Sequence, residues 1–349
     1  MTDELERRAA ALLDPAVYAF FAAGAGDERA LAANRAAFEA QTLRPRALVD
    51  VSERTTAALV LGKEVGLPVL VAPVGFQTLL HPDGELATVR AAARLRTIAC
   101  TSVVSEAAPA ELAAAAPGAR LWSQLYWVRD RELVADLMHQ AADAGFEAIV
   151  LTVDAPVLGR RDRSVQAGWR FPDTFRVRST AGAGRREALT APELAALLDA
   201  SLTWRDLEWV AETARLPVVL KGIMTAEDAV LAAEHGAAAV VVSNHGGRQL
   251  DAAPSTLSAL PEVVAAAGDR LEVLLDGGIR RGSDVLVALA LGARAVLVGR
   301  PPMWGLATGG ADGVEQVVRL IGEELDNALA LCGCRSPAEA APSLVGSIR

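Results

Sequence analysis

The residues of this sequence that are best suited to chemistry stand where short apolar segments end. Residues 243–251 follow such a segment and contain His245, two glycines directly after it, and Arg248. A histidine is the usual general base near neutral pH, because its ordinary pKa is about 6.5. The two glycines have no Cβ and would leave room beside the imidazole. We therefore interpret His245 as a candidate base.

Charged residues that could act together with His245 end three other apolar segments. Asp154 and Asp276 are candidates for a carboxylate that raises the pKa of the imidazole by opposite charge. Lys221 ends a further segment, although a lysine is costly to bury without a partner. The sequence leaves three roles open for its amine: a Schiff base, a charge that tunes an electron-accepting flavin, or an ammonium that reaches solvent at a rim.

A phosphate site is predicted after the last two apolar segments. Residues 276–278, Asp-Gly-Gly, allow the backbone to approach a ligand closely, because glycine has no Cβ. Arg280 and Arg300 can each present a planar pair of donors to a phosphate. A helix that begins at Gly282 would add unpaired backbone N–H groups.

The elements that must position these residues are predicted from eight short segments rich in Val, Ile and Leu. Their lack of polar alternation is typical of parallel strands that are covered on both faces. The predicted strands are 67–72, 97–101, 120–124, 148–153, 217–221, 238–243, 272–276 and 295–299. Alternation with helical segments favours a closed (β/α)₈ TIM barrel over a doubly wound open sheet, since no Gly-x-Gly-x-x-Gly follows the first strand. Active sites of such barrels form at the carboxyl ends of the strands.

The length of 349 residues leaves room for additions to a barrel of about 250 residues. We predict one domain over residues 1–349, with N-terminal helices and a cap in residues 1–60, and two helices within 3–40. Residues 157–204 are long for a connection after the fourth strand, which suggests a lid-like loop. A final long helix is predicted over 312–331.

Composition argues against several classes of function. The formal net charge is −9 and no Lys/Arg cluster stands out, which argues against a nucleic-acid partner. The three cysteines, Cys100, Cys332 and Cys334, lack the spacing of a zinc or redox site and suit a reducing cytoplasm, and Cys100 is expected in the core. The sequence contains no uncharged apolar run of about 18 residues and begins without a signal-peptide core. We expect a cytoplasmic protein with no metal, no nucleic acid and no membrane partner.

Residues 243–251, Ser-Asn-His-Gly-Gly-Arg-Gln-Leu-Asp, resemble the signature of the FMN-dependent 2-hydroxy-acid oxidases and dehydrogenases, the family of glycolate oxidase, lactate oxidase and mandelate dehydrogenase. The resemblance runs from Val17 to Cys334. It implies an FMN-binding (β/α)₈ barrel that oxidises a small (S)-2-hydroxy acid to the 2-oxo acid, with O₂ as acceptor and H₂O₂ as product. Other matching segments occur, in the expected order, at 152–154, 158–161, 220–222 and 276–282.

The resemblance implies a role for each residue at the strand ends. His245 would take the proton of either the α-carbon or the hydroxyl group, and Asp154 would stabilise the protonated imidazole. Tyr126 would hydrogen-bond the substrate hydroxyl or the developing charge. Arg161 and Arg248 would hold the substrate carboxylate, which suits their planar donor forks. The residues implied in FMN binding are Pro73, Val74, Gly75, Ser102, Gln124, Thr152, Lys221, Ser243, Asp276, Gly277, Gly278, Arg280, Gly299 and Arg300.

Two positions depart from the pattern of the oxidases of small substrates. Phe20 stands where glycolate and lactate oxidases have a tyrosine that helps bind the carboxylate, and Val104 stands where glycolate oxidase has a tryptophan. Both changes enlarge or dry the substrate pocket. They favour an aryl substrate of the mandelate or 4-hydroxymandelate type and a likeness to hydroxymandelate oxidases, while glycolate or lactate stays open. Tyr18, two residues from Phe20, should point elsewhere on its helix.

Three further alternatives stay open. The enzyme could be a dehydrogenase with another acceptor, although residues 176–205 lack the long apolar run of the membrane-binding segment in mandelate dehydrogenases. It could be an FMN barrel that modifies a peptide or isomerises a diphosphate, against which the set of Arg161, His245 and Arg248 argues. A flavin-binding module without catalysis is favoured only by Phe20. Members of the family usually form tetramers, so the resemblance also implies a homo-oligomer.

Overall fold

Eight parallel strands close into a barrel in the computed structural model, which describes residues 2–181, 185 and 187–347. Each strand pairs with the next along the chain, and the last pairs with the first, with Val296 opposite Val69. The strands β1–β8 are Val69–Val71, Ile98–Ser102, Arg120–Tyr126, Ala148–Thr152, Val218–Ile223, Ala239–Val242, Glu272–Asp276 and Ala295–Val298. The (β/α)₈ barrel predicted from the sequence is confirmed.

The strands are apolar without alternation because both of their faces are buried. Inside the barrel, side chains such as Leu70, Trp122 and Leu274 form one core, which also includes Cys100 as expected. A second, larger core lies between the strands and the surrounding helices. A hairpin of Ala58–Val60 and Lys63–Val65 packs against the inner core, and its residues hydrogen-bond Arg120 and Glu272 where their strands begin. The hairpin therefore closes the amino-terminal end of the barrel.

Thirteen helices flank the described strands. In chain order, α1–α13 are Thr2–Leu12, Pro15–Ala22, Arg29–Glu39, Gly84–Arg94, Pro109–Ala115, Arg131–Asp143, Asp162–Gln166, Ala191–Ala196, Trp204–Thr213, Ala226–Glu234, Thr256–Ala267, Gly282–Ala290 and Arg300–Leu331. Within the described residues, no helix reaches the length and apolar character that a membrane crossing requires.

One prediction about the helices is wrong and another is incomplete. The region 3–40 holds three helices rather than two, because Asp14 caps α2 and Pro15 occupies its first turn, which separates it from α1. The final helix predicted over 312–331 is present, but a further helical part that begins at Arg300 precedes it. The backbone leaves helical geometry at Gly309 and Gly310, so α13 consists of two helical parts on either side of a kink.

The connection after β4 is folded over the carboxyl end of the barrel. It contains α7 and α8, and α8 is held at its start by a capping box in which the Thr190 N–H donates to Glu193 at 2.7 Å. Two isolated β-bridges, Arg176 with Thr190 and Val128 with Leu198, tie the segment down. Residues 182–184 and 186 of this predicted lid lie outside the described residues. That the segment moves as a lid stays a prediction.

Candidate active site

A cleft of about 1440 Å³, open to solvent, lies at the carboxyl ends of the strands. The sequence predicted 21 site residues, and the cleft brings most of them together. Those that line it are Phe20, Pro73, Val74, Gly75, Ser102, Val104, Gln124, Tyr126, Thr152, Arg161, Lys221, His245, Arg248, Asp276, Gly277, Gly278, Arg280, Gly299 and Arg300. Asp154 and Ser243 lie directly behind this surface and contact residues that line it.

His245 is placed by a left-handed turn immediately after β6. Its φ is +58°, and Gly246 and Gly247 continue the turn with φ of +63° and +74°. Histidine adopts this conformation more often than most residues, but still at some cost in free energy. The turn is held by the His245 N–H, which donates to Ser243 Oγ at 3.1 Å. A strained backbone that aims an imidazole into a cleft is typical of a functional residue.

A carboxylate fixes which nitrogen of His245 is basic. Nδ1 lies 3.0 Å from Asp154 Oδ1, and the two side chains are 19% and 12% exposed. Because an ionised carboxylate only accepts hydrogen bonds, Nδ1 carries the hydrogen and the lone pair is on Nε2. The other oxygen of Asp154, Oδ2, is buried and has no hydrogen-bond partner in the described residues.

The pKa of His245 depends on burial and on the charges of Lys221 and Asp154. Burial lowers the pKa of the imidazole, the charge of Lys221 lowers it further, and Asp154 raises it, with a net result below the ordinary value. The expectation that a nearby carboxylate would raise the pKa by opposite charge is confirmed for Asp154, although burial outweighs that contribution. Burial raises the pKa of Asp154, but His245 and Lys221 outweigh it and bring that pKa below its ordinary value. The pair therefore rests as a neutral imidazole beside an ionised carboxylate.

Lys221 is buried near the end of β5 among polar partners. Its Nζ lies 3.1 Å from Asp276 Oδ2 and donates to Ser243 Oγ at 2.9 Å. Burial lowers the pKa of the amine, but the charges of Asp276 and Asp154 raise it above the ordinary value. The amine is therefore an ammonium ion, which does not suit the Schiff-base role, since that role needs a neutral amine. Asp276 Oδ1 is buried without a partner in the described residues, so it can accept a hydrogen bond from a ligand.

Three polar side chains on neighbouring strands form one hydrogen-bond chain along the cleft. Ser102 Oγ donates to Gln124 Oε1 at 2.9 Å, and Gln124 Nε2 donates to Thr152 Oγ1 at 3.0 Å. These bonds fix the orientation of the Gln124 amide. The cleft thus has a row of oriented donors and acceptors on β2, β3 and β4.

Arg161 and Arg248 approach each other across the ring of Phe20. Their guanidinium carbons lie 5.8 and 5.3 Å from the centre of that ring. The neighbouring Arg160 and Arg163 are paired with carboxylates, but in the described part of the chain Arg161 and Arg248 form no ion pair. Burial, followed by the charges of Arg161 and Arg300, lowers the pKa of Arg248 well below its ordinary value, and burial also lowers that of Arg161. Two such cations side by side indicate a site for an anion.

A second pair of cations, Arg280 and Arg300, lies at the β7–β8 edge of the cleft. Burial lowers the pKa of both side chains, and the charge of Arg280 helps to bring the pKa of Arg300 to about 10. Gly278, whose φ is +83°, packs tightly against α3 beside them, because a Cβ there would lie 2.3 Å from Asn34 O. This edge therefore offers the charge for a second anion.

The helix α12 was predicted to add unpaired N–H groups to that anion site, and its first N–H group is already bonded. Its Gly282 N–H donates to Glu324 Oε2 at 2.9 Å, and Asp284 Oδ2 accepts the N–H groups of Arg280 and Arg281 at 2.8 and 3.0 Å. A carboxylate of the chain itself thus satisfies the first N–H of α12, which was predicted to bind a phosphate.

Sequence reasoning missed most of an aromatic and aliphatic wall beside Arg161 and Arg248. Phe20 stacks on Trp169 with 4.2 Å between ring centres, and Phe171 approaches Phe20 edge-on at 6.2 Å. Leu194 and Leu198, from the segment that contains α8, line the same cleft. Trp169 and Phe171 were visible as aromatic residues in the long connection, but nothing in the sequence placed that connection against Phe20. Tyr18 hydrogen-bonds Glu6 instead, as its helical position predicted.

Comparison with known proteins agrees with this geometry. A family described as FMN-dependent dehydrogenase matches residues 9–347. The L-lactate oxidase of Nostoc sp. is 46% identical over 341 residues, which cover 95% of this chain and 93% of that protein. The glycolate oxidase of Spinacia oleracea is 42% identical over 351 residues, 99% of this chain and 95% of that protein.

Solved structures resemble the whole described fold. Mandelate oxidase with (S)-2-phenylpropionate has a TM-score of 0.89 and 44% identity, with 99% of this chain and 98% of that chain covered. A soluble mutant of the membrane-associated (S)-mandelate dehydrogenase from Pseudomonas putida has a TM-score of 0.93 and 35% identity, with 99% of both chains covered. The chain belongs to the FMN-dependent dehydrogenase family and is an FMN-dependent enzyme that oxidises 2-hydroxy acids.

Proposed function

We propose that the protein is an oxidase of aryl (S)-2-hydroxy acids that uses O₂ as electron acceptor and releases a 2-oxo acid and H₂O₂. The observation that carries this proposal is the apolar wall of Phe20, Phe171, Leu194 and Leu198 beside the unpaired Arg161 and Arg248. A guanidinium pair suits a carboxylate, and an apolar wall suits an aryl group rather than a hydrogen or methyl group.

The cleft fits FMN at both of its ends. A phosphate matches the unpaired charges of Arg280 and Arg300, which line the cleft beside Gly278. A flavin ring matches the polar row of Ser102, Gln124 and Thr152 and the ammonium of Lys221. The remaining residues proposed to hold FMN are Pro73, Val74, Gly75, Ser243, Asp276, Gly277 and Gly299.

The chemistry of this chain is divided among five side chains. Arg161 and Arg248 bind the substrate carboxylate, and Tyr126 hydrogen-bonds the hydroxyl group. His245 accepts a proton from the substrate at Nε2, and Asp154 then stabilises the imidazolium through Nδ1–H. FMN, held at the residues named above, would supply the acceptor for two electrons from the substrate and their route to O₂. Burial and Lys221 keep the imidazole neutral and ready for that proton.

Two properties of the relatives support the choice of O₂ as the acceptor. The relatives of highest identity given above carry the name oxidase. The mandelate dehydrogenases are expected to carry a membrane-binding segment after the fourth strand, whereas α8 in the same region of this chain has six residues. A homo-oligomer, a tetramer by resemblance, and a cytoplasmic location belong to the same proposal, and light scattering after gel filtration tests the oligomer.

A small substrate is the second candidate. The 46% identity to a protein named L-lactate oxidase favours lactate, and the identity to glycolate oxidases favours glycolate. Phe20 and Val104 argue against both, because neither supplies a polar group to a short substrate.

The test is reduction of the protein-bound flavin without oxygen by (S)-mandelate, (R)-mandelate, L-lactate and glycolate. (S)-Mandelate should bleach the flavin fastest, and readmitted air should restore the yellow colour with one H₂O₂ per turnover. 2-Phenylpropionate, which lacks the hydroxyl group, is the control and should not bleach it. Faster bleaching by lactate or glycolate would contradict the aryl substrate, and failure of air to restore the colour would contradict the oxidase.

A further inference from the structure

Asp251, the last residue of the 243–251 segment, binds a distant part of the chain. Its Oδ2 accepts the N–H of Asp27 at 3.0 Å, and its Oδ1 accepts the N–H of Ala30 at 3.2 Å. Ala30 lies in the first turn of α3, where the local N-cap residue, Glu28, forms no side-chain cap. Asp251 therefore caps α3 from more than two hundred positions away.

The turn that precedes α3, residues 23–28, lies between two loops of the candidate site. The Ala25 N–H donates to Gly247 O at 2.8 Å, next to His245 and Arg248. The Gly26 N–H donates to Arg160 O at 2.9 Å, next to Arg161. The position of this turn therefore affects both loops.

Two carbonyl oxygens at the end of α2 are shared by two arginines. Arg248 Nη1 donates to Ala23 O at 2.7 Å and to Phe21 O at 3.3 Å. Arg300 donates from Nη2 to Ala23 O at 3.0 Å and from Nε to Phe21 O at 3.1 Å. The charge of Arg300 lowers the pKa of Arg248, so the two cations repel each other. The shared carbonyl dipoles hold them side by side against that repulsion.

We propose that Asp251 is a positioning residue for both anion sites. By capping α3 it holds the turn 23–28, and the turn sets the carbonyl oxygens of Phe21 and Ala23. Those oxygens orient Arg248 toward the substrate carboxylate and Arg300 toward the phosphate of FMN. This inference rests on the roles proposed above for Arg248 and Arg300, and it predicts that one substitution changes two binding constants together.

The experiment compares Asp251→Ala with Thr225→Ala in the FMN-loaded enzyme. Thr225 is a matched control because it caps α10 through the N–H of Asp228 at 3.2 Å, on a helix after β5. Serial dilution of the holoenzyme, followed by the fluorescence of released FMN, gives the Kd of FMN. Steady-state rates with the best substrate of the panel give KM and kcat.

Asp251→Ala should raise the Kd of FMN and the KM of the substrate by about tenfold each, with kcat within about threefold. Thr225→Ala should leave both constants within about twofold. The inference is overturned if Asp251→Ala changes the Kd of FMN or the KM by less than about twofold. It is also overturned if Thr225→Ala raises both constants as much as Asp251→Ala does. If Asp251→Ala gives no folded holoenzyme, Asp251→Asn, which keeps one acceptor oxygen, is judged by the same criteria.

The outcome separates this inference from the proposed function. An unmodified enzyme without turnover of any 2-hydroxy acid would contradict the proposed function. The Kd of FMN would then decide the inference alone, since a rise of about tenfold in Asp251→Ala supports it and a change within about twofold overturns it.

Discussion

At the scale of single residues, the environment of His245 makes it a base that works in mildly acidic as well as neutral solution. A base acts in its deprotonated form, so catalysis is lost as the pH falls through its pKa. Burial and Lys221 place that pKa below 6.5, although Asp154 opposes them. Asp154 has a lowered pKa and stays ionised over the same range, so it can stabilise the imidazolium when a proton arrives.

The pH profile follows from these directions. In the unmodified enzyme, kcat/KM should be level near pH 7 and fall only below about pH 6.5.

Asp154→Asn removes the charge that raises the pKa of His245, so the acid limb of the pH profile should move to lower pH. It also removes the support of the imidazolium, so kcat should fall about 10²–10⁴-fold. An acid limb above pH 6.5, or one that Asp154→Asn leaves in place, would contradict this assignment.

Phe20 gives a second prediction at this scale. Its ring lies against both Arg161 and Arg248, so a hydroxyl added by Phe20→Tyr would come near a bound carboxylate. The ratio of kcat/KM for L-lactate to that for (S)-mandelate should rise by about three- to tenfold. Phe171→Tyr, which adds the same group to another ring of the wall, should change the ratio less. Equal changes in the two variants would mean that Phe20 does not select the substrate.

At the scale of elements, the side-chain amide of Gln249 connects the loops after β4 and β6 through three hydrogen bonds. Gln249 Oε1 accepts the Gly159 N–H at 2.8 Å, and its Nε2 donates to Asp154 O at 2.7 Å and to Val157 O at 3.0 Å. A Cβ on Gly159 would lie 2.3 Å from Arg248 O, so the loops are in close contact. Arg161 follows on the loop after β4, and its position therefore depends on Gln249.

Gln249→Met keeps much of the side-chain volume but removes all three hydrogen bonds. The KM of the substrate should rise about tenfold, with a smaller change in kcat, because Arg161 is less well held. Gln140→Met is the control, since Gln140 also bridges two segments, through Asp136 and Ser179 O, away from the cleft. Steady-state kinetics of both variants decide the matter. An unchanged KM in Gln249→Met would show that the loop holds Arg161 without this amide.

The elements also show what the sequence could predict. The eight strands were predictable because strands buried on both faces appear in the sequence as apolar runs. Site residues such as Lys221 and Asp276 were predictable because they stand at the ends of these runs. The break between α1 and α2 had a readable signal, Asp14-Pro15, whereas Pro301 and Pro302 hid the start of α13. The wall formed by Trp169, Phe171 and α8 was not predictable, because its placement depends on contacts with distant parts of the chain.

At the scale of the whole molecule, an acidic protein concentrates positive charge in one cleft. The net charge is −9, yet Lys221 and four arginines, Arg161, Arg248, Arg280 and Arg300, line the same opening. The net pKa of His245 could not be predicted from the sequence, because it depends on burial and on charges that separate strands bring together in this cleft. Anions that enter the cleft relieve repulsion between its cations and so stabilise the folded chain.

Ligand binding should therefore raise the stability of the protein in a phosphate-dependent way. FMN at 100 times its Kd should add about 2.7 kcal/mol to the free energy of unfolding, and Tm should rise with FMN concentration. Riboflavin, which has the same ring but no phosphate, is the control and should raise Tm much less, because Arg280 and Arg300 stay unpaired. Equal shifts with the two ligands would contradict a phosphate site at these arginines.

The most direct test of the central account is rapid-mixing reduction of bound FMN by (S)-mandelate without oxygen, in the unmodified enzyme and in His245→Ala. His245→Ala should keep FMN and its visible spectrum, but its flavin should be reduced at least about 10²-fold more slowly, since the group that accepts the proton is gone. Reduction of His245→Ala at the rate of the unmodified enzyme would contradict the account, because the proton would then be taken by a group other than the imidazole held by Asp154.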